Sequence, residues 1–219
     1  VTLPSLERCR RWLLVALCAL ALKELGAAGV IYAKAALAPH LMARAWQATL
    51  AEGGIHKPWP WADTWPVARL QVPALGIDQF VLAGATGNAL AFGPGLDAAG
   101  VLPGQDGTAV IAGHRDTHFR FLQQLLPAMA VRLQLPDGRR LEYRVTESKV
   151  VDTRLPVFRP AQQGAPNLEL VTCYPFDAIR AGGPLRYIVR AEPPVGLAGS
   201  LPAAPFVTPF ITTGEEIAL

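Results

Sequence analysis

Two short stretches of this chain hold residue types that can do chemistry together. Ala112-Gly113-His114-Arg115-Asp116-Thr117-His118-Phe119 overlaps the end of the β-like run TAVIAG, and Leu170-Val171-Thr172-Cys173-Tyr174-Pro175-Phe176 ends an apolar one. A side chain at a strand terminus is positioned rigidly yet can reach solvent. A lone cysteine and a strand-end histidine make a candidate nucleophile and base, the pair that thiol acyl transfer requires. A third group should stabilise the oxyanion, and Arg186 in the final run LRYIVRA is a candidate cation. By residue type alone Arg115, Arg180 and Arg190 compete with Arg186, and His118 competes with His114. His114 and His118 also have the i,i+4 spacing of a metal-binding helix, but no HExxH glutamate accompanies them, which argues against zinc. Asp116 and His118 are expected to orient the loop or to cap the helix after it.

Cysteine usage sharpens the reading of Cys173. The chain has three cysteines, and Cys9 and Cys18 lie before or within an N-terminal hydrophobic segment. Cys173 is left without a partner, which excludes a disulfide framework and leaves a thiol that is either buried and inert or kept for chemistry. On composition alone the buried reading leads, because cysteine is among the most buried residue types.

The elements that must hold these groups are mostly strands. Short β-like runs recur from Val67 onward: VARLQV, IDQFVLA, TAVIAG, AVRLQL, LEYRVTESKVV, LELVTC and LRYIVRA. Turn signals such as Gly93-Pro94-Gly95, Pro103-Gly104 and Pro136-Asp137-Gly138 separate them. Glycine and proline number 20 each among 219 residues, which favours a turn-rich β domain over a helical bundle. THFRFLQQLL has helical spacing, with Phe119, Leu122 and Leu126 on one side. With 51% hydrophobic and 17% charged residues the chain is too apolar for disorder and too poorly charged for a coiled coil. Few helices among regular short strands suggest a closed barrel or sandwich.

The N-terminal part is of another kind. Trp12–Leu22 is an unbroken apolar run behind Arg8, Arg10 and Arg11, and across Lys23-Glu24 a span of residues 12–33 is long enough for a bilayer. An uncleaved anchor is preferred over a signal peptide cut near Ala21 or Ala35, and both export the rest of the chain because the arginines stay inside. Residues 1–50 carry six Lys/Arg against two Glu, a balance of +4 within a total of +3, so the remainder sums to −1. That leaves no basic face for a nucleic acid. The expected organisation is a basic end at 1–11, an anchor at 12–33, a helical stalk and Trp/Pro-rich junction at 34–66, a barrel at 67–192 and a Pro-rich tail at 193–219. The stalk should be interrupted or kinked near Pro39. Trp59, Trp61 and Trp65 read as a plug on the barrel end, or else as an interfacial anchor or lid.

The order His114, Cys173, Arg186, with GHRDTHF after a strand and LVTC followed thirteen residues later by the arginine of LRYIV, resembles the sortases. The likeness is greatest to the Gram-negative (GN-type) branch through PWPWADTWPVARL at 58–70, AFGPG at 91–95, GHRDTHFRFL at 113–122 and VTCYPF at 171–176. The resemblance covers about residues 30–191. It implies a mainly β fold, an eight-stranded sortase-type closed β-barrel with short helices behind an N-terminal hydrophobic helix. It also implies an inner-membrane enzyme facing the periplasm that cleaves an LPxTG-like C-terminal sorting motif and passes the acyl group to an amine. By position the sortase histidine falls on His114, the cysteine on Cys173 and the arginine on Arg186. No cofactor or metal is expected, since Glu142, Glu147 and Asp152 form no convincing acidic cluster. A membrane-tethered thiol hydrolase and a non-catalytic peptide-binding scaffold of the envelope are the rival readings.

Overall fold

The computed structural model describes residues 6–155, 163–178 and 182–194, so Arg180 and nearly all of the expected tail lie outside the described residues. The chain divides into two units, Val1–Leu41 and Met42–Leu219. The first is the greater part of helix α1, Leu6–Glu52, which continues through Pro39 instead of ending there. Within it Arg8–Val30, 23 residues of mean hydropathy 1.9 with none of the span buried, is long and apolar enough to cross a membrane. The two charges that follow its apolar run Trp12–Leu22 pair with each other, Lys23 Nζ lying 3.5 Å from Glu24 Oε1.

The second unit is a β-barrel. Its strands are β1 (Pro66–Val72), β2 (Ile77–Ala83), β3 (Gly95–Leu96), β4 (Thr108–Ala112), β5 (Ala130–Gln134), β6 (Arg140–Asp152), β7 (Asn167–Cys173) and β8 (Leu185–Glu192). They close in the order β1-β2-β3-β4-β7-β8-β6-β5. All seven β-like runs of the sequence are strands. The eighth, β3, is two residues long and begins at the last glycine of the GPG turn signal. It bridges β2 in parallel and β4 in antiparallel register, which completes the ring. A Cβ on Gly95 would sit 2.0 Å from the Gly84 carbonyl oxygen, so only glycine allows that closure.

Alternation places Leu70, Ile111, Leu133, Tyr143, Leu168, Leu170 and Val189 in one interior core. Burial pushes the Tyr143 phenol well above its ordinary range. A small satellite core forms where the last turns of α1 and a short helix, α2 (Gly87–Phe92), meet β2: Met42, Leu82 and Ala89 pack with Trp59 and Phe80. Trp59 meets Phe92 edge-on at 5.3 Å, whereas Trp61 is 82% exposed. The helix expected in THFRFLQQLL is a 3₁₀ turn, Arg120–Gln124, with Phe119 and Leu122 buried and Leu126 exposed. Pro127 follows Leu126, and its ring disfavours the helical conformation in the residue before it. Asp116 caps nothing there; it pairs with Arg115.

Candidate active site

The site is built by register. β4 and β7 run parallel with Ala112 opposite Val171, and the Gly113 N–H donates to the Val171 carbonyl at 3.1 Å. One residue on, Thr172 Oγ1 donates to the Gly113 carbonyl at 2.6 Å, so the two strands stay joined up to the point where His114 and Cys173 follow. On its other side β7 pairs antiparallel with β8, and Cys173 stands directly opposite Arg186. The neighbouring Tyr174 N–H donates to the Leu185 carbonyl at 3.0 Å, which makes Cys173 and Arg186 a non-hydrogen-bonded pair. In such pairs the Cα atoms stand about 4.5 Å apart and the side chains share a face. The structure thus brings His114, Cys173 and Arg186 to one level at the ends of three adjacent strands.

Their surroundings differ. Cys173 and Arg186 are 9% and 8% exposed, while His114 is exposed. Arg186 Nη1 donates to the carbonyls of Gly183 at 2.5 Å and Leu185 at 3.1 Å, so the chain before β8 orients the guanidinium. The face shared by Cys173 and Arg186 continues along the sheet as Val110, Val171 and Ile188, with Val151 against them. A thiol opposite a guanidinium on a dry sheet face, with an exposed histidine at the same level beyond the neighbouring strand, can attack a carbonyl, exchange protons with an amine and hold a negative oxygen.

His114 projects from a tight turn. Its carbonyl accepts from the Phe119 N–H at 3.0 Å, and Phe119 is fully buried against Gly113, where a Cβ would lie 2.8 Å from the ring. Gln79 Nε2 donates to the His118 carbonyl at 3.2 Å from β2. Burial, and then the neighbouring His114, push the His118 imidazole below its ordinary range against a hydrogen bond to the Ala91 backbone.

The competing residues have other partners. Arg190 pairs with Glu169 at 2.7 Å further along β8. Arg115 is buried and donates to the carbonyls of Pro175 and Ala178. Glu142, Glu147 and Asp152 each lie in ion pairs with arginine or lysine, and Arg154 lowers the Asp152 carboxyl to about 2. Among the described residues no group of three His, Cys, Asp or Glu could hold a metal ion. Reasoning from residue types missed Thr172 and Arg115 as ties between the two loops. The only signal for Thr172 was a hydroxyl inside an apolar strand.

Residues 70–194 match the Sortase domain family. The chain is 31% identical over 123 residues to sortase D of Bacillus subtilis (strain 168), covering 56% of this chain and 61% of that protein. It therefore spans less than two thirds of that relative's length. Its fold is similar to that of a Clostridium perfringens sortase D5 transpeptidase, with a TM-score of 0.58 at 18% identity over 72% of this chain and 98% of that one. It is also similar to C. perfringens sortase C solved with the C-terminal cell wall sorting motif, with a TM-score of 0.53 at 18% identity over 73% and 89% of the two chains. At such identity these likenesses concern the fold. The domain match, which extends over more than half the sequence and includes β4, β7 and β8 complete, places this chain in the sortase family.

Proposed function

We propose that this chain is a membrane-anchored cysteine transpeptidase in which Cys173, His114 and Arg186 carry the chemistry. The observation that supports it most is the common level of those three residues on neighbouring strands. In this reading the Cys173 thiolate attacks the carbonyl carbon of the scissile peptide bond in an LPxTG-like C-terminal sorting motif. The C–N bond breaks, His114 gives a proton to the departing amine, and a thioacyl enzyme remains. An incoming amine, deprotonated by His114, attacks the thioester carbon; the C–S bond breaks and the acyl group passes to nitrogen. Arg186 donates to the oxyanion in both steps or holds the substrate backbone, using a fork that Gly183 and Leu185 already orient.

The span Arg8–Val30 and the arginines at its start support an anchor in the inner membrane with the barrel in the periplasm. The stretches at 58–70, 91–95, 113–122 and 171–176 support membership in the Gram-negative branch. The test is intact-mass analysis of full-length protein in detergent with a panel of LPxTG-type peptides. An acyl adduct on Cys173 that hydroxylamine converts to peptide hydroxamate is expected. No adduct on Cys173 with any peptide overturns the reading, and carboxylic acid as sole product despite hydroxylamine makes the protein a hydrolase.

A further inference from the structure

We propose that Arg115 is a positioning residue for this site, a clamp that holds the turn carrying His114 to the segment that follows Cys173. The proposal rests on the reading of Cys173 and His114 as the reacting pair. Its first support is burial: the Arg115 side chain is 6% exposed, between an exposed His114 and an Asp116 whose side chain is 71% exposed. Arginine is almost never fully buried without partners. Here Nη1 donates to the Pro175 carbonyl at 2.8 Å and Nη2 to the Ala178 carbonyl at 2.6 Å, while Nε faces Asp116 at 3.2 Å.

Those two carbonyls mark the ends of one small turn. The Ala178 N–H donates to the same Pro175 oxygen at 3.3 Å, so the guanidinium spans a closed loop from start to finish. A planar fork can serve two carbonyls at once; an ammonium cannot do so with the same geometry.

The clamp acts where the strand ladder stops acting. Joining between β4 and β7 reaches Gly113 and Thr172. Beyond them the His114 carbonyl serves its own turn, and the Tyr174 N–H bonds across to Leu185 on β8. Arg115 carries the connection past that point. The segment it holds also bears Tyr174 and Phe176, whose rings pack on Tyr187 at 6.2 and 5.2 Å, beside Arg186. One side chain therefore ties together the loops that flank all three residues. With Nη1 and Nη2 on loop carbonyls and Nε on Asp116, Arg115 serves the site through position.

The test uses full-length protein in detergent and two independent readouts. Hydrogen–deuterium exchange should show the amides of 174–178 exchanging faster in Arg115→Lys than in wild type, with β4 and β7 unchanged. Single-turnover acylation by the most reactive peptide of the panel should fall about 100-fold, as misplacement by about an ångström does, with KM within roughly twofold. Methylguanidinium should restore part of the rate to Arg115→Ala, which a loss of stability alone would not allow. Unchanged exchange in a folded Arg115→Lys protein overturns the clamp, whatever the rate. Faster exchange with a wild-type rate overturns its role in positioning. If no peptide acylates wild type, the transpeptidase reading falls separately, and exchange still judges the clamp.

Discussion

The barrel has two walls of opposite character. Along β5 and the first half of β6 every second residue is buried and the others meet water, where Arg132, Glu142 and Arg144 form a chain of exposed ion pairs. Along β4 and β7 both faces are dry: all five residues of β4 are buried, as are the six of β7 from Leu168 to Cys173. The loop before β4 covers the outer face there, since a Cβ on Gly100 would lie 3.3 Å from Val110 Cγ2. On a wet wall a charged group can find water if its partner leaves. On a dry wall it cannot, so Thr172 and Glu169 depend on the partners they have, the Gly113 carbonyl and Arg190. The candidate site sits at the end of the dry wall, with Cys173 and Arg186 buried there.

The largest expected effect breaks the dry wall at its reactive end. Cys173→Ala should abolish turnover and leave the fold intact, because it removes one sulfur at the strand end. Arg186→Ala should lower turnover by roughly 10²–10³-fold, about 2.7–4 kcal/mol, the range for lost oxyanion donors. Arg186→Lys should recover little of that, since the charge remains and the fork does not. Peptide turnover with melting curves alongside decides it: near-normal rates in a stable Arg186→Ala protein would remove Arg186 from the chemistry.

The next effect concerns stability. Glu169 is 3% exposed and its partner Arg190 about a third exposed, so Glu169→Ala leaves that cation at the dry wall with a longer contact, 4.0 Å to Glu147. The expected loss is roughly 3 kcal/mol, near the lower end for broken buried pairs because Arg190 retains some water. At about 2–4 °C per kcal/mol for a domain of this size, melting should fall by roughly 6–12 °C. Replacing both residues with methionine should recover most of it. A double variant no better than the single one would show that packing, and not the broken ion pair, sets the loss.

This contrast explains what could be read beforehand. Wet-wall strands announce themselves by alternation, as RLEYRV does, and dry-wall strands by continuous apolar runs such as AVIA at 109–112. β3 was illegible because two residues carry no period, and the chain is held there by glycine's absent side chain. Cys173 was legible as a candidate because it ends a strand, and His114 because it follows one closely. The partnership of Cys173 with Arg186 is a fact of register, which spacing along the chain does not encode. Arg115 was illegible for a related reason. Its partners are main-chain carbonyls sixty residues away, and a carbonyl has no sequence signature.

A smaller effect is set by pH at the turn beyond β4. Burial, and secondarily His114, hold His118 below its ordinary value of 6.5. Below that value the unfolded chain takes up the proton before the folded one, so stability rises with pH in this window and is lost as pH falls through it. Melting temperature should decline on acidification from about pH 6.5. His118→Gln should flatten the decline, and an unaltered slope in that variant would assign it to other groups.

The smallest expected effect lies on the wet wall and completes the contrast. Glu142 accepts from Arg132 Nε at 3.0 Å and Arg144 Nη2 at 2.7 Å, with all three side chains between 31% and 50% exposed. Both arginines can turn to water when the carboxylate is lost, and Arg144 keeps a bond to the Ala128 carbonyl. Glu142→Gln should therefore cost about 0.2–1 kcal/mol, the range for exposed pairs. Salt separates the walls further. Raising ionic strength from 0.15 to 1 M shortens the screening length from about 8 to about 3 Å, which should erase the Glu142→Gln difference. The Glu169→Ala difference should persist, since a buried pair is little screened. Equal salt sensitivity in the two variants would mean that water reaches Glu169, and the dry wall would then be wet at that end.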